Sequence, residues 1–174
     1  MGKFERLKEE TRVSSTENNK SFRAAAAVVA KINPASSMCF KEELLSEMEK
    51  DYRLICDYLI AAQTFGQRHR GDNHRKKASE AAASLAYYSI LFHLNFFEPN
   101  FFGLTKEVKL QNCLRQMTSL FRQKNSDYGN SFRFWGIPGL LVRLGDKLFR
   151  LQRLAAHGYQ QKVKDERLPD TALD

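Results

Sequence analysis

Four charged residues in the C-terminal third of the chain have types and spacing that could do chemistry. Arg143, Asp146, Lys147 and Arg150 follow an i, i+3, i+4, i+7 pattern, so on a helix they form one stripe. Guanidinium and ammonium groups gathered this way neutralise phosphate oxygens. A carboxylate among them can pair with a cation or hold a hard metal ion. Most of the other positions from Leu140 to Leu154 are apolar. A helix apolar nearly all round is usually buried, and buried charge is costly unless paired. The stripe is therefore expected to face a cleft or a neighbouring helix. Asp146 would pair with Arg143 or Arg150, leaving at least one cation for an acidic helix or a bound phosphate. A purely structural ion-pair network satisfies the same pattern. Gly145, inside the stripe, costs helix stability but lets another backbone or a ligand come close.

Two flanking elements carry further candidates. Asp127-Tyr128-Gly129 offers a carboxylate, a ring and a hinge residue in succession. Tyr128 is placed to stack on a base, as is Trp135; a capped turn with its aromatic tucked into the core is the plainer reading. Near the end, Glu166, Asp170 and Asp174 recur every four residues, and on one helix they would share a face. Carboxylates so arranged suit Mg²⁺, which takes oxygen ligands and keeps several waters. Pro169 as a first helical residue would leave Glu166 outside that helix, and acids at a helix N-terminus are also favoured by the macrodipole. The four histidines and three cysteines are scattered, with no H-E-x-x-H or C-x-x-C spacing, so a zinc site or a disulfide framework is not suggested.

The elements that must position these residues are helical. Residues 1–20 are polar, with Ser14-Ser15-Thr16-Glu17-Asn18-Asn19-Lys20 at their end, and read as a flexible segment. A short helix is expected from Ser21 to Ala30. A long one follows from about Phe40 to Phe65, with Leu44, Leu45, Met48, Tyr52, Ile55, Leu59 and Ala62 at helical spacing and Gly66 as its stop. The next is expected over His74 to about Phe92, capped by Asp72 or Asn73 after a basic loop. Residues 94–104 read as an aromatic loop that plugs a core or an interface, and a homo-oligomer through it is one expectation. A helix begins after Thr105, a polar break covers 124–131, and Pro138 opens the helix that carries the charged stripe. A stub at 168–174 closes the series. The expected fold is all-α, a compact bundle of five to six helices. Residues 21–104 form an N-terminal helical region and 105–174 a second helical unit.

Together, several of these motifs resemble the nucleotide modification associated domain 1 family of phages and bacteria. The resemblance is carried by Lys124-Asn125-x-Asp127-Tyr128-Gly129-x-Ser131-Phe132, Gly136-Ile137-x-Gly139, Val142-Arg143-x-x-Asp146-Lys147-x-x-Arg150-Leu151 and Val163-Lys164-Asp165-Glu166-x-x-x-Asp170-Thr171-x-x-Asp174, over about residues 109–174. It implies a helical domain linked to nucleotide metabolism or modification, similar in spirit to all-α nucleoside triphosphate pyrophosphohydrolases. On that reading Asp127, Asp146, Glu166, Asp170 and Asp174 would hold Mg²⁺. Arg143, Lys147 and Arg150 would bind phosphate, and Tyr128 would stack on the base. Family members continue past the position of Asp174 with a Leu-Ala-x-Tyr helix, so the last helix here is expected to be a stub. Those pyrophosphohydrolases carry E-E-x-x-E on an earlier helix. Glu42-Glu43-Leu44-Leu45-Ser46-Glu47 has one residue too many, although Glu43, Glu47 and Asp51 share a face.

Charge keeps a second class open. The chain carries +8, and from Lys106 onward 13 basic residues oppose 7 acidic ones. A basic surface attracts nucleic acid as well as nucleotides. With Arg68-His69-Arg70 and Arg75-Lys76-Lys77 it suits a non-catalytic nucleic-acid or protein adaptor, or a degenerate family member. No membrane span and no secretory signal are expected, so the cytoplasm of a bacterial or phage-infected cell is the expected location.

Overall fold

The computed structural model describes residues 28–29, 40–65, 69–97, 106–128, 131–157 and 168–173. Among these residues the secondary structure is helical, with no strand, so the class is all-α. The elements are α1 (Lys41–Phe65), α2 (His69–Phe96), α3 (Lys106–Tyr128), α4 (Ser131–Ala156) and the short α5 (Leu168–Leu173). The polar segment 1–20 and most of the expected Ser21–Ala30 helix lie outside the described residues.

α1 has the expected bounds. The Phe40 carbonyl accepts the Leu44 N–H at 3.2 Å. Glu42 and Glu43 sit in the first turn, where the helix dipole favours acids, and α1 ends immediately before Gly66. α2 is longer than its periodicity predicts, starting at His69 rather than His74. Asp72 accepts a hydrogen bond from Arg75 at 3.0 Å within this turn. The Tyr58 ring of α1 lies 6.0 Å from the His74 ring and 5.6 Å from the Lys77 ammonium. At its other end α2 runs on to Phe96, because Phe96 and Phe97 pack on the buried Phe92 ring at 5.0 and 5.9 Å. This part of the expected aromatic loop fills the core; Phe101 and Phe102 lie outside the described residues.

α3 continues through much of the expected polar break, to Tyr128. Polar residues cost a helix only tenths of a kcal/mol each, ~0.7 at most. α4 also starts early, at Ser131, but it is bent. Gly136 has φ 62° and ψ −159°, a conformation essentially restricted to glycine, two residues before Pro138. Proline removes a helical N–H and crowds the preceding turn, so it suits the first turn of a renewed helix.

α1 and α2 pack along each other over most of their length, and α4 and α5 complete the main core. Leu44, Met48 and Ile55 of α1 meet Leu85 and Phe92 of α2, Leu148, Leu151 and Ala155 of α4, and Ala172 of α5. A second cluster joins Ala83, Tyr87 and Ile90 of α2 to Cys113 and Leu114 of α3 and to Val29. α1 and α2 therefore share one core with α4 and α5, across position 105. Lys41 donates to the Ala155 carbonyl at 3.0 Å, closing the C-terminal end of α4 against the start of α1. α5 is held by buried Thr171 and Ala172 and by His93 of α2, whose Nδ1 lies 3.3 Å from the Pro169 carbonyl. A carbonyl only accepts, so Nδ1 carries the hydrogen.

Candidate phosphate-binding face

The second part of α4 divides its residues sharply. Leu148, Leu151 and Ala155 are buried, and Leu141 and Leu144 pack against the core beside them. At helical spacing residues 143, 146 and 150 fall on the opposite side. Arg143, Asp146 and Arg153 are exposed, and Lys147 and Arg150 are half-buried at its margin, each in further interactions. The expectation that this stripe faces a cleft or a neighbouring helix is corrected here: Arg143 and Asp146 point outward. One apolar stripe suffices for the core, so the remaining apolar side chains are left in solvent, Val142 at 62% exposure and Phe149 at 52%. Asp146 takes part in none of the ion pairs seen among the described residues.

Gly145 does allow a close approach, and the group that approaches is a ring. Tyr52 of α1 lies across it, donates to the Leu141 carbonyl at 3.2 Å and meets the Phe149 ring at 6.0 Å, near perpendicular. Burial, then the neighbouring Cys56, and last the Asp146 carboxylate hold the Tyr52 hydroxyl above the usual tyrosine range, so it stays a donor. One turn further along, Gln152 donates to Glu49 at 2.8 Å, and Arg53 holds the other Glu49 oxygen. The Arg53 hydrogen bond first, then Gln152, keep Glu49 below the ordinary carboxylate range.

The acidic residues do not gather in one described place. Asp146 stands alone on the outer face of α4, whereas Ala172 of α5 packs into its core face. The side chains of Asp127, Tyr128 and Asp170, and all of Glu166 and Asp174, lie outside the described residues. Among the described residues no group of three or more His, Cys, Asp or Glu could hold a metal ion. On α1, Glu43 is exposed and Glu47 takes a hydrogen bond from Lys50 at 3.2 Å, but Asp51 is only 6% exposed. Burial pushes the Asp51 carboxyl up, against a hydrogen bond from Ser84. Its other oxygen has no partner among the described residues. Asp51 lies three residues after Met48 and four before Ile55, on the apolar stripe of α1, and that spacing was the available signal of its burial.

Two residues of this face were not singled out by spacing: Arg153, which extends the row of cations by one turn, and Phe149, which stands exposed and is met edge-on by the Tyr52 ring of α1. No helix among the described residues is long and apolar enough to cross a membrane. No protein-family model, curated protein or solved structure matches the chain.

Proposed function

We propose that this chain binds the phosphate groups of nucleotides or nucleic acid on the outer face of α4, with Arg143, Lys147 and Arg150 as the principal cations. The observation that carries this reading is the solvent-facing placement of Arg143 on a helix with five basic residues and one acidic one, Asp146. Cations on an open convex face suit a charged polymer, because phosphates reach them without entering a pocket. Arg143 to Arg150 spans about 10 Å of helix axis. The likeness to a nucleotide-modification family, carried by the same residues, points to the same ligand chemistry.

The test is equilibrium binding of a labelled oligonucleotide, and of each nucleoside triphosphate, to the whole chain and to the Arg143→Glu/Arg150→Glu double variant. Affinity is expected to fall at least tenfold in the variant, with a shallower salt dependence. Unchanged affinity would overturn the proposal.

A second reading is Mg²⁺-dependent hydrolysis of a nucleoside triphosphate. The spacing of the three cations favours it, since a triphosphate chain fits within about 10 Å. Asp127, Asp146, Glu166, Asp170 and Asp174 are the residues that would hold the metal, whose part would be to neutralise phosphate charge and activate water. Release of pyrophosphate or phosphate across a nucleotide panel, abolished in both Asp170→Ala and Lys147→Ala, is the required result. No turnover with any nucleotide sinks this reading and leaves the binding proposal standing.

A further inference from the structure

We infer that the ligand of this face is a single-stranded nucleic acid at least about four nucleotides long, with its phosphates on Arg143 and Arg150 and its bases stacked on Phe149 and Trp135. This rests on the phosphate-binding reading above and narrows its ligand.

The inference starts from two parallel rows. Trp135, Val142 and Phe149 recur every seven residues, as do Arg143 and Arg150, displaced by one position. Seven residues are close to two helical turns, so beyond the bend at Gly136 Val142 lines up with Phe149 and Arg143 with Arg150, on two edges of the outer face of α4, whereas Trp135 precedes the bend and is placed by its packing on Gly139. The three apolar residues are exposed, Trp135 at 65%, Val142 at 62% and Phe149 at 52%. Both rings are seated by glycines. A side chain at Gly139 would run into the Trp135 Cβ, and one at Gly145 would displace the Tyr52 ring that meets Phe149. Tyr52 is itself tied to the Leu141 carbonyl and meets the Phe149 ring edge-on, while about half of the Phe149 surface stays in water.

Aromatic rings beside cations are what sequence-tolerant single-strand binding uses: each base offers a face to stack and each nucleotide a phosphate. A duplex has its bases already stacked and offers nothing to Phe149. A mononucleotide would reach only one of the two rings. From Gly139, beneath Trp135, to Phe149 is about 15 Å of helix axis, or about four steps of a stacked strand at ~3.4 Å each.

The whole chain is titrated with thymidylate oligomers of increasing length from the mononucleotide upward, with a matched duplex, with heparin, and with phosphatidylserine vesicles. The readouts are anisotropy of a labelled strand and the emission of Trp135, the sole tryptophan. Affinity should rise with length and level off at about four to eight nucleotides. The single strand should bind at least tenfold tighter than the duplex, and Trp135 emission should be quenched. Phe149→Ala should lose about 5- to 150-fold with an unchanged salt slope, the range that removing one base stack gives. Phe149→Tyr, which keeps both the ring and its packing on Tyr52, should bind like the parent.

Equal binding of duplex and strand, preference for vesicles or heparin, absence of a length dependence, or an Phe149→Ala affinity equal to the parent each overturns the inference. Each leaves phosphate binding intact so long as Arg143→Glu/Arg150→Glu still weakens the complex. If that double variant binds every ligand as the parent does, the phosphate-binding reading itself has failed.

Discussion

Replacing Gly145 with alanine should destabilise this protein, against the ordinary expectation for a helix interior. Alanine is the better helix former by about 1 kcal/mol. At Gly145, however, the new Cβ would lie 2.5 Å from the Tyr52 hydroxyl oxygen and 3.0 Å from the ring carbon that bears it. The hydroxyl is the far end of its side chain, but a phenol ring cannot flex. Tyr52 is also held by the Leu141 carbonyl and by Phe149. Overpacking of this kind costs about 1–3 kcal/mol, and losing the hydrogen bond adds about 1 kcal/mol. Set against the propensity gain, the net loss is about 1–3 kcal/mol. Urea unfolding of Gly145→Ala should therefore show a lower midpoint with an unchanged slope. The decisive control is the same substitution in a Tyr52→Ala background, where the clash is gone and alanine should stabilise by up to about 1 kcal/mol. Stabilisation by Gly145→Ala in the parent chain would refute the close packing of Tyr52 on α4.

Three further outcomes are expected. The Asp51 carboxyl is raised by burial, so the folded state keeps its proton to higher pH than the unfolded chain. Stability should fall as pH rises from the ordinary aspartate range through the folded value, and Asp51→Asn should remove that fall and raise the neutral-pH melting temperature; an equal pH dependence in parent and variant contradicts this. Gly136→Ala places a Cβ at φ 62° and ψ −159°, and should cost about 1–3 kcal/mol in thermal or denaturant unfolding. Ala172→Asp puts a carboxylate into the main core and should release α5 from α2 and α4. Hydrogen exchange should then quicken over residues 168–173 while the centre of α1 remains protected, and unchanged exchange there would show that α5 does not depend on Ala172 for docking.

The sequence by itself determined the class of this protein, the bounds of α1 and the stripe on α4. Those features follow from local chemistry: apolar residues at threes and fours, Gly66 as a stop, Pro138 in a first turn, and four charges at helical spacing. Gly145 was legible as a place of close approach. Tertiary structure alone decided that the approaching group is the ring of Tyr52, ninety-odd residues earlier in the chain. Tertiary structure also decided which way the stripe faces. Periodicity tells which residues share a side of a helix, but what that side meets depends on how many neighbours the bundle supplies. α4 has a core on one side only, so Arg143, Asp146 and Arg153 point outward and Trp135, Ile137, Leu140, Val142 and Phe149 are left exposed. The burial of Asp51 has the same origin, because the apolar stripe of α1 that carries it packs against α2.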